Sequence, residues 1–232
     1  MNHLIIPARY GSTRFPGKPL ARICGVPMVV RTYQAVQKAQ DFDQIFVLTD
    51  NVDIHMACLT YAVPVVLQEV EAANGTERIA KWAVDRFADD DIVVNVQGDE
   101  PMMDVGIVNR LRFNVEQRPG FVWTVARWVK IGESNNRDVV KCFRNFEGGL
   151  SIESWSRDAK SCFDHVQLGI YAYTVKRLRE YLEKPPTAEE QSEGLEQLRW
   201  GEPLACFTTE YDGIGVDRPD DIQKVEERLM KT

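Results

Sequence analysis

The sequence predicts an α/β fold, with a Rossmann-like half built on a mainly parallel central sheet and a mixed α+β half after it. Three observations carry this. Through residues 1–120, short continuous runs of valine, isoleucine and leucine alternate with amphipathic stretches, the pattern of parallel strands covered by helices on both faces. Glycine-bearing polar segments follow the strand runs, where an open α/β sheet collects its ligands. After residue 120 the strict alternation stops and strand-like segments cluster, as in a mixed half.

The elements follow in order. "HLIIPA" (3–8) reads as a buried strand. "PMVVRTYQAVQKAQ" (27–40) reads as a helix opened by proline. "QIFVLTD" (44–50) is a strand and "VDIHMACLTYA" (52–62) a short helix. "VPVVLQ" (63–68) is a strand. "GTERIAKWAVDRFADD" (75–90) is a helix with Ile79, Trp82, Ala83 and Phe87 on one side. "DIVVNVQGDEP" (91–101) is an apolar strand running into a polar loop stopped by proline, and 103–117 is again helical. In the second half, 121–129, 138–145 and 165–174 read as strands, with "EGG" (147–149) as a turn. Helices are expected at 175–184 and 192–200, a strand at 203–210 and a capped amphipathic helix at 216–231. The polar, proline-bearing stretch 183–194 reads as a mobile surface loop. A single domain is expected, with residues 1–120 and 121–232 as its two halves.

Composition narrows the partners. With 44% hydrophobic residues the chain can bury a core. No run of eighteen apolar residues exists, which argues against a membrane span and for a cytoplasmic protein. The five cysteines form no C-x-x-C pair and read as reduced, mostly buried thiols. The net charge of −7 disfavours nucleic acid. That charge is unevenly spread: residues 1–40 hold six Lys or Arg and no Asp or Glu. A local basic site on an acidic chain suits a small polyanion.

Four of those six cations fall between Arg9 and Arg22, around "LIIPARYGSTRFPGK". This is not a P-loop, because five residues separate Gly11 from Gly17 and Lys18 is followed by proline. A dinucleotide fingerprint is also missing. What remains is a loop with free backbone N–H groups, the hydroxyls of Ser12 and Thr13, and cations, equipment that holds a triphosphate by backbone nests plus charge. A simple turn at Pro16–Gly17 is the competing reading. Asp99, after the buried run 93–96, is either a turn-former or a metal ligand. Asp217, in "GIGVDRPDD", is either a metal ligand or the N-cap of the last helix.

Taken together, the segments "IIPARYGSTRFPGKPL", "GVPMV", "NGTER", "VNVQGDEP", "LGIYAYT", "LEQLR" and "GVDRPDDI" resemble the 3-deoxy-manno-octulosonate (Kdo) cytidylyltransferase family, in family order over nearly the whole chain. The resemblance implies a nucleotidyltransferase fold and activity. The anomeric hydroxyl of an acidic 3-deoxy-ulosonic sugar attacks the α-phosphorus of CTP, pyrophosphate leaves and Mg²⁺ is required. It implies Arg9, Ser12 and Lys18 at the triphosphate, and Gly75, Thr76 and Arg78 on the CTP side. Asp99 and Asp217 would bind the metal, so that Lys18, Arg9, Asp99 and Asp217 form the catalytic set. Gln97, Gln167, Tyr171, Glu196 and Gln197 would face the sugar. It also implies a cytoplasmic homodimer, with the second half as interface, serving lipopolysaccharide biosynthesis.

Three departures fall in the acceptor half. Gln167 stands where the family usually has histidine, with His165 two residues earlier on the same strand face. The arginine of the family's "YFSR" has no clean match: an ungapped reading puts Trp155 there, with Arg157 two residues on. About one helical turn is missing after Arg199. A different acidic acceptor, or a nucleotide-binding relative without catalysis, therefore stands as the alternative.

Overall fold

The computed structural model describes residues 1–12, 14–145, 151–158 and 163–231; the "EGG" turn lies outside them. The strands are β1 (Asn2–Ala8), β2 (Arg22–Ile23), β3 (Val26–Pro27), β4 (Gln44–Thr49), β5 (Val65–Leu67), β6 (Ile92–Val96), β7 (Trp123–Trp128), β8 (Lys141–Asn145), β9 (Ser151–Ser156), β10 (His165–Thr174) and β11 (Leu204–Thr208). The helices are α1 (Met28–Val36), α2 (Val52–Thr60), α3 (Gly75–Ala83), α4 (Val105–Gln117), α5 (Val175–Glu183), α6 (Ala188–Glu193) and α7 (Pro219–Leu229).

Nine strands form one sheet in the order β5-β4-β1-β6-β10-β7-β11-β9-β8. β5, β4, β1 and β6 run parallel. Beyond β6 the sheet is mixed: β10 is antiparallel to both β6 and β7, while β11 runs parallel to β7. The continuous parallel run thus belongs to the first half, while the second half mixes antiparallel pairs with the one parallel pair of β7 and β11. β2 and β3 form a separate two-stranded ribbon.

Because successive side chains on a strand point to opposite faces, β1 feeds two cores. Leu4 and Ile6 pack with α1, α2 and α4, while Ile5 packs with α3 and α5. Burial on both faces explains the unbroken apolar runs of β1 and β6. A third cluster, Ile23, Met28, Val216 and Val225, seats α7 on the β2–β3 ribbon.

From β1 the chain winds to β4 and β5 on one side, then returns to β6 on the other. The carboxyl ends of β1 and β6 therefore flank a topological switch point, where α/β sheets bind ligands. The structure departs from the sequence pattern at two places. Residues 188–193 form α6, a helix N-capped by the Thr187 hydroxyl, in a stretch expected to be a mobile loop. Helix does not run through 192–200: Gly194 ends α6 at φ 64° and a separate 3₁₀ turn spans Glu196–Trp200.

Candidate active site

A cleft of about 400 Å³ opens at this switch point. Its floor depends on glycines. A Cβ on Gly98 would lie 2.9 Å from the Pro7 carbonyl, and one on Gly75 would meet Gln97 and Pro7 at 2.9–3.0 Å. These positions let β1, β6 and the start of α3 approach closely.

One end of the cleft is ionic. The loop after β1 turns at Gly17, whose φ of 69° favours glycine, and presents Arg9, Ser12, Arg14 and Lys18. The Lys18 Nζ donates to Asp99 Oδ2 at 2.6 Å and to the Val216 carbonyl at 2.8 Å, and lies 3.7 Å from Asp217 Oδ1. Arg14 bridges Asp217 and Asp138 at 2.8 Å each. Arg9 donates to the Ala73 carbonyl, and the Ser12 hydroxyl accepts from the Phe15 N–H. One ammonium thus reaches carboxylates from two distant segments, after β6 and before α7.

Asp217 is not the helix cap. The Asp221 carboxylate accepts the backbone N–H of both Asp217 and Arg218 at the start of α7, which leaves the Asp217 side chain to face Lys18 and Arg14. Burial and the Asp99 charge raise its pKa, against the lowering effect of Lys18, Arg14 and Arg157. The donor set suits magnesium, which takes one or two carboxylates and completes its shell with phosphate and water. A divalent cation would also offset the Asp99–Asp217 repulsion. Among the described residues, no group of three or more His, Cys, Asp or Glu side chains is arranged to hold a metal alone.

Asn74 N-caps α3 by accepting the Glu77 N–H. Gly75 and Arg78 line the cleft; Arg78 is buried and paired with Asp50 at 2.5 Å. Thr76 lies beneath the surface, its N–H spent on Glu196 at 2.9 Å and its hydroxyl accepting from Asn95.

The other end is built of amides, a phenol and a carboxyl. Gln97, Gln167, Tyr171, Glu196 and Gln197 all line it. Gln97 donates to Glu196 Oε1 at 2.7 Å. Burial pushes the Glu196 carboxyl up to about 7 against the lowering effect of its Thr76 bonds, and burial, then the Asp99 charge, pushes Glu100 up to about 8. Tyr171 is held well above the usual phenol range by burial.

The structure also settles the departures. Trp155 packs in the core, and Arg157, at the end of β9, lines the cleft. The cleft therefore has an arginine from this segment, braced by the carbonyls of Glu193, Arg137 and Asp138. His165 is fully buried, bonded to Asp164 and packed on Trp128; it does not line the cleft. The shortened segment after Arg199 closes at Gly201, with φ 64°, before Glu202 pairs with Arg177.

Sequence reasoning missed the support behind this wall. The Arg199 guanidinium is buried and bonds both Glu190 and Glu77. Asn74 ties Glu190 to Tyr181. A buried ion-pair network therefore clamps α6, the 3₁₀ turn and the start of α3, and every charge in it is partnered.

A site with cations and carboxylates at one end, and amide and hydroxyl groups at the other, on a sheet of this topology, has the layout of a nucleotidyltransferase. A cytidylyltransferase family model matches residues 3–207. An 8-amino-3,8-dideoxy-manno-octulosonate cytidylyltransferase of Shewanella baltica is 36% identical, over 97% of each chain. A 3-deoxy-manno-octulosonate cytidylyltransferase of Zea mays is 34% identical, over 98% of this chain and 80% of its own. The solved structure of a CMP:2-keto-3-deoxy-manno-octonic acid synthetase complexed with CTP superposes with a TM-score of 0.87 at 30% identity, covering 99% of this chain and 98% of that one. The chain belongs to the cytidylyltransferase family.

Proposed function

We propose that the protein transfers CMP from CTP to the anomeric hydroxyl of an acidic 3-deoxy-ulosonic sugar, of the Kdo or 8-amino-Kdo type, with release of pyrophosphate. The observation that carries this reading is the polarity of one continuous cleft, ionic around Lys18, Asp99 and Asp217, and hydrogen-bonding around the amides of Gln97, Gln167 and Gln197, the Tyr171 phenol and the Glu196 carboxyl. Phosphoryl transfer asks the protein mainly to position two reactants and to offset charge. Lys18, Arg9 and Ser12 would hold the triphosphate, and Gly75 and Arg78 the nucleoside side. Both reactants are anionic, so the cations of the ionic end, Arg157 among them, would oppose their mutual repulsion.

Asp99 and Asp217 would hold Mg²⁺, which when bound supplies positive charge against the triphosphate. The acceptor oxygen bonds to the α-phosphorus and gives up its proton to solvent as the bond from that phosphorus to the β-phosphate oxygen breaks. The amide and phenol groups orient the acceptor hydroxyl, and the ionic end stabilises the departing pyrophosphate. A homodimer in the cytoplasm, serving lipopolysaccharide biosynthesis, goes with this reading through the sequence resemblance. Calorimetric titration in the presence of magnesium tests the nucleotide half: CTP is expected to bind more tightly than ATP or GTP, and equal affinities would remove the assignment.

A further inference from the structure

We propose that Thr124, buried behind the sugar end of the cleft, is a positioning residue that sets the hydrogen-bond polarity of Gln167, Gln197 and Tyr171, and so determines what the acceptor must offer. This rests on the reading that this end takes the sugar.

The four side chains form one chain of bonds. The Thr124 hydroxyl donates to the Ile170 backbone carbonyl at 2.8 Å. A carbonyl only accepts, so the single hydroxyl proton is spent there. The Thr124 oxygen must then accept, and Gln167 Nε2 donates to it at 3.1 Å. This turns Gln167 Oε1 outward, where it accepts from Gln197 Nε2 at 3.1 Å. Gln197 Oε1 in turn accepts from the Tyr171 hydroxyl, also at 3.1 Å. Each link fixes the next, and the backbone carbonyl fixes the first. Thr124 itself is fully buried.

The local fold makes the chain possible. Between Gln167 and Tyr171 the β10–β7 register slips: Gln167 faces Ala126 and Tyr171 faces Thr124. Four steps on β10 thus oppose two on β7, which gathers both side chains around Thr124. The irregular stretch contains Gly169, where a Cβ would meet Glu100 Oε1 at 2.9 Å.

The consequence is chemical. Tyr171 spends its proton inward and shows the cleft only lone pairs. An acceptor group placed against it must donate a hydrogen bond, as a hydroxyl or a protonated amine does and a deoxy carbon or ether does not. Gln197 keeps one N–H for an acceptor oxygen, while Gln167 also faces the Tyr171 oxygen as a donor. Without the Thr124 hydroxyl, the Gln167 amide loses its anchor and can turn over, and the polarity of the whole chain is released.

The test compares Thr124→Val and Thr124→Ser with the wild type, measuring pyrophosphate release from CTP with Kdo and with 8-amino-Kdo, and CTP affinity separately. Wild-type turnover with either sugar establishes the underlying reading independently of the variants. Thr124→Val should raise the acceptor KM about tenfold, the loss expected for one buried hydrogen bond, while CTP affinity stays at the wild-type value. Thr124→Ser, which keeps the hydroxyl, should restore the acceptor KM. An unchanged acceptor KM in the valine variant, an equal weakening of CTP, or no rescue by serine overturns the proposal. Should the valine variant not fold, Thr124→Cys carries the same test, since a thiol is a poor donor and acceptor at this position.

Discussion

Replacing Asp217 by asparagine removes one negative charge and little else. The α7 start depends on the Asp221 carboxylate, so the cap survives. The lost charge faces Arg14 at 2.8 Å and Lys18 at 3.7 Å, which favours it, and it faces burial and Asp99, which oppose it. The raised pKa gives the balance, with the ionised carboxyl disfavoured in the folded, ligand-free protein. Asp217→Asn should therefore leave the melting temperature without ligands unchanged or raised. Catalysis should respond the other way. Losing one preorganised electrostatic group costs about 10²–10³ in kcat, or about 2.7–4 kcal/mol. Asp221→Ala should show the reverse pattern, losing about 0.5–2 kcal/mol of stability, as for an N-cap, while keeping turnover. The assay pairs thermal melts, with and without magnesium, with pyrophosphate release at limiting magnesium. An Asp217→Asn variant that melts early and turns over normally would refute the argument.

Lys18→Met should weaken CTP binding by about 1.5–3 kcal/mol, or roughly 10–150-fold in Kd; calorimetry giving a wild-type Kd would show that Lys18 only neutralises Asp99 and Asp217. Gly75→Ala should displace Gln97, whose side chain lies 2.9–3.0 Å from the new Cβ, and break its bond to Glu196, so kcat/KM for the sugar should fall about tenfold; an unchanged value would mean that Gln97 does not orient the acceptor. Glu196 has a folded pKa of about 7, above the unfolded value of about 4.3. The folded state then holds a proton that the unfolded state has lost, so this group's contribution to stability falls as pH rises through that window and is flat above it. Melting curves without ligands should show this fall, and Glu196→Gln should make it shallower, leaving the part that the raised Glu100 contributes; parallel slopes would contradict the assignment.

The parallel half of the fold was legible because β1 and β6 are buried on both faces and carry their apolar runs openly. β9 was not, because "SIESWS" mixes polar and apolar residues without a clean period. The helix at 188–193 was hidden for another reason. Its composition is polar, and the groups that order it, Arg199 on Glu190 and Asn74 from residues far upstream, leave no local trace. Asp217 was ambiguous in sequence because a cap and a ligand use the same residue type; only the position of Asp221 separates them. Arg157 was named in the sequence reading but given no place in the site, because the ungapped reading put Trp155 at the family's arginine position. The bonds of the Thr124 chain join residues 26 to 46 positions apart through a slipped register, which no spacing rule foresees.

The central claim is that one cleft joins CTP to an acidic 3-deoxy sugar. The most direct test is pyrophosphate release by the wild-type protein with magnesium, across CTP and ATP and across Kdo, 8-amino-Kdo, a neutral hexose and a hexose phosphate. The account predicts release with CTP and at least one of the two acidic 3-deoxy sugars, accompanied by the corresponding CMP-sugar. Release with the neutral hexose or the hexose phosphate, and with neither acidic sugar, would contradict it.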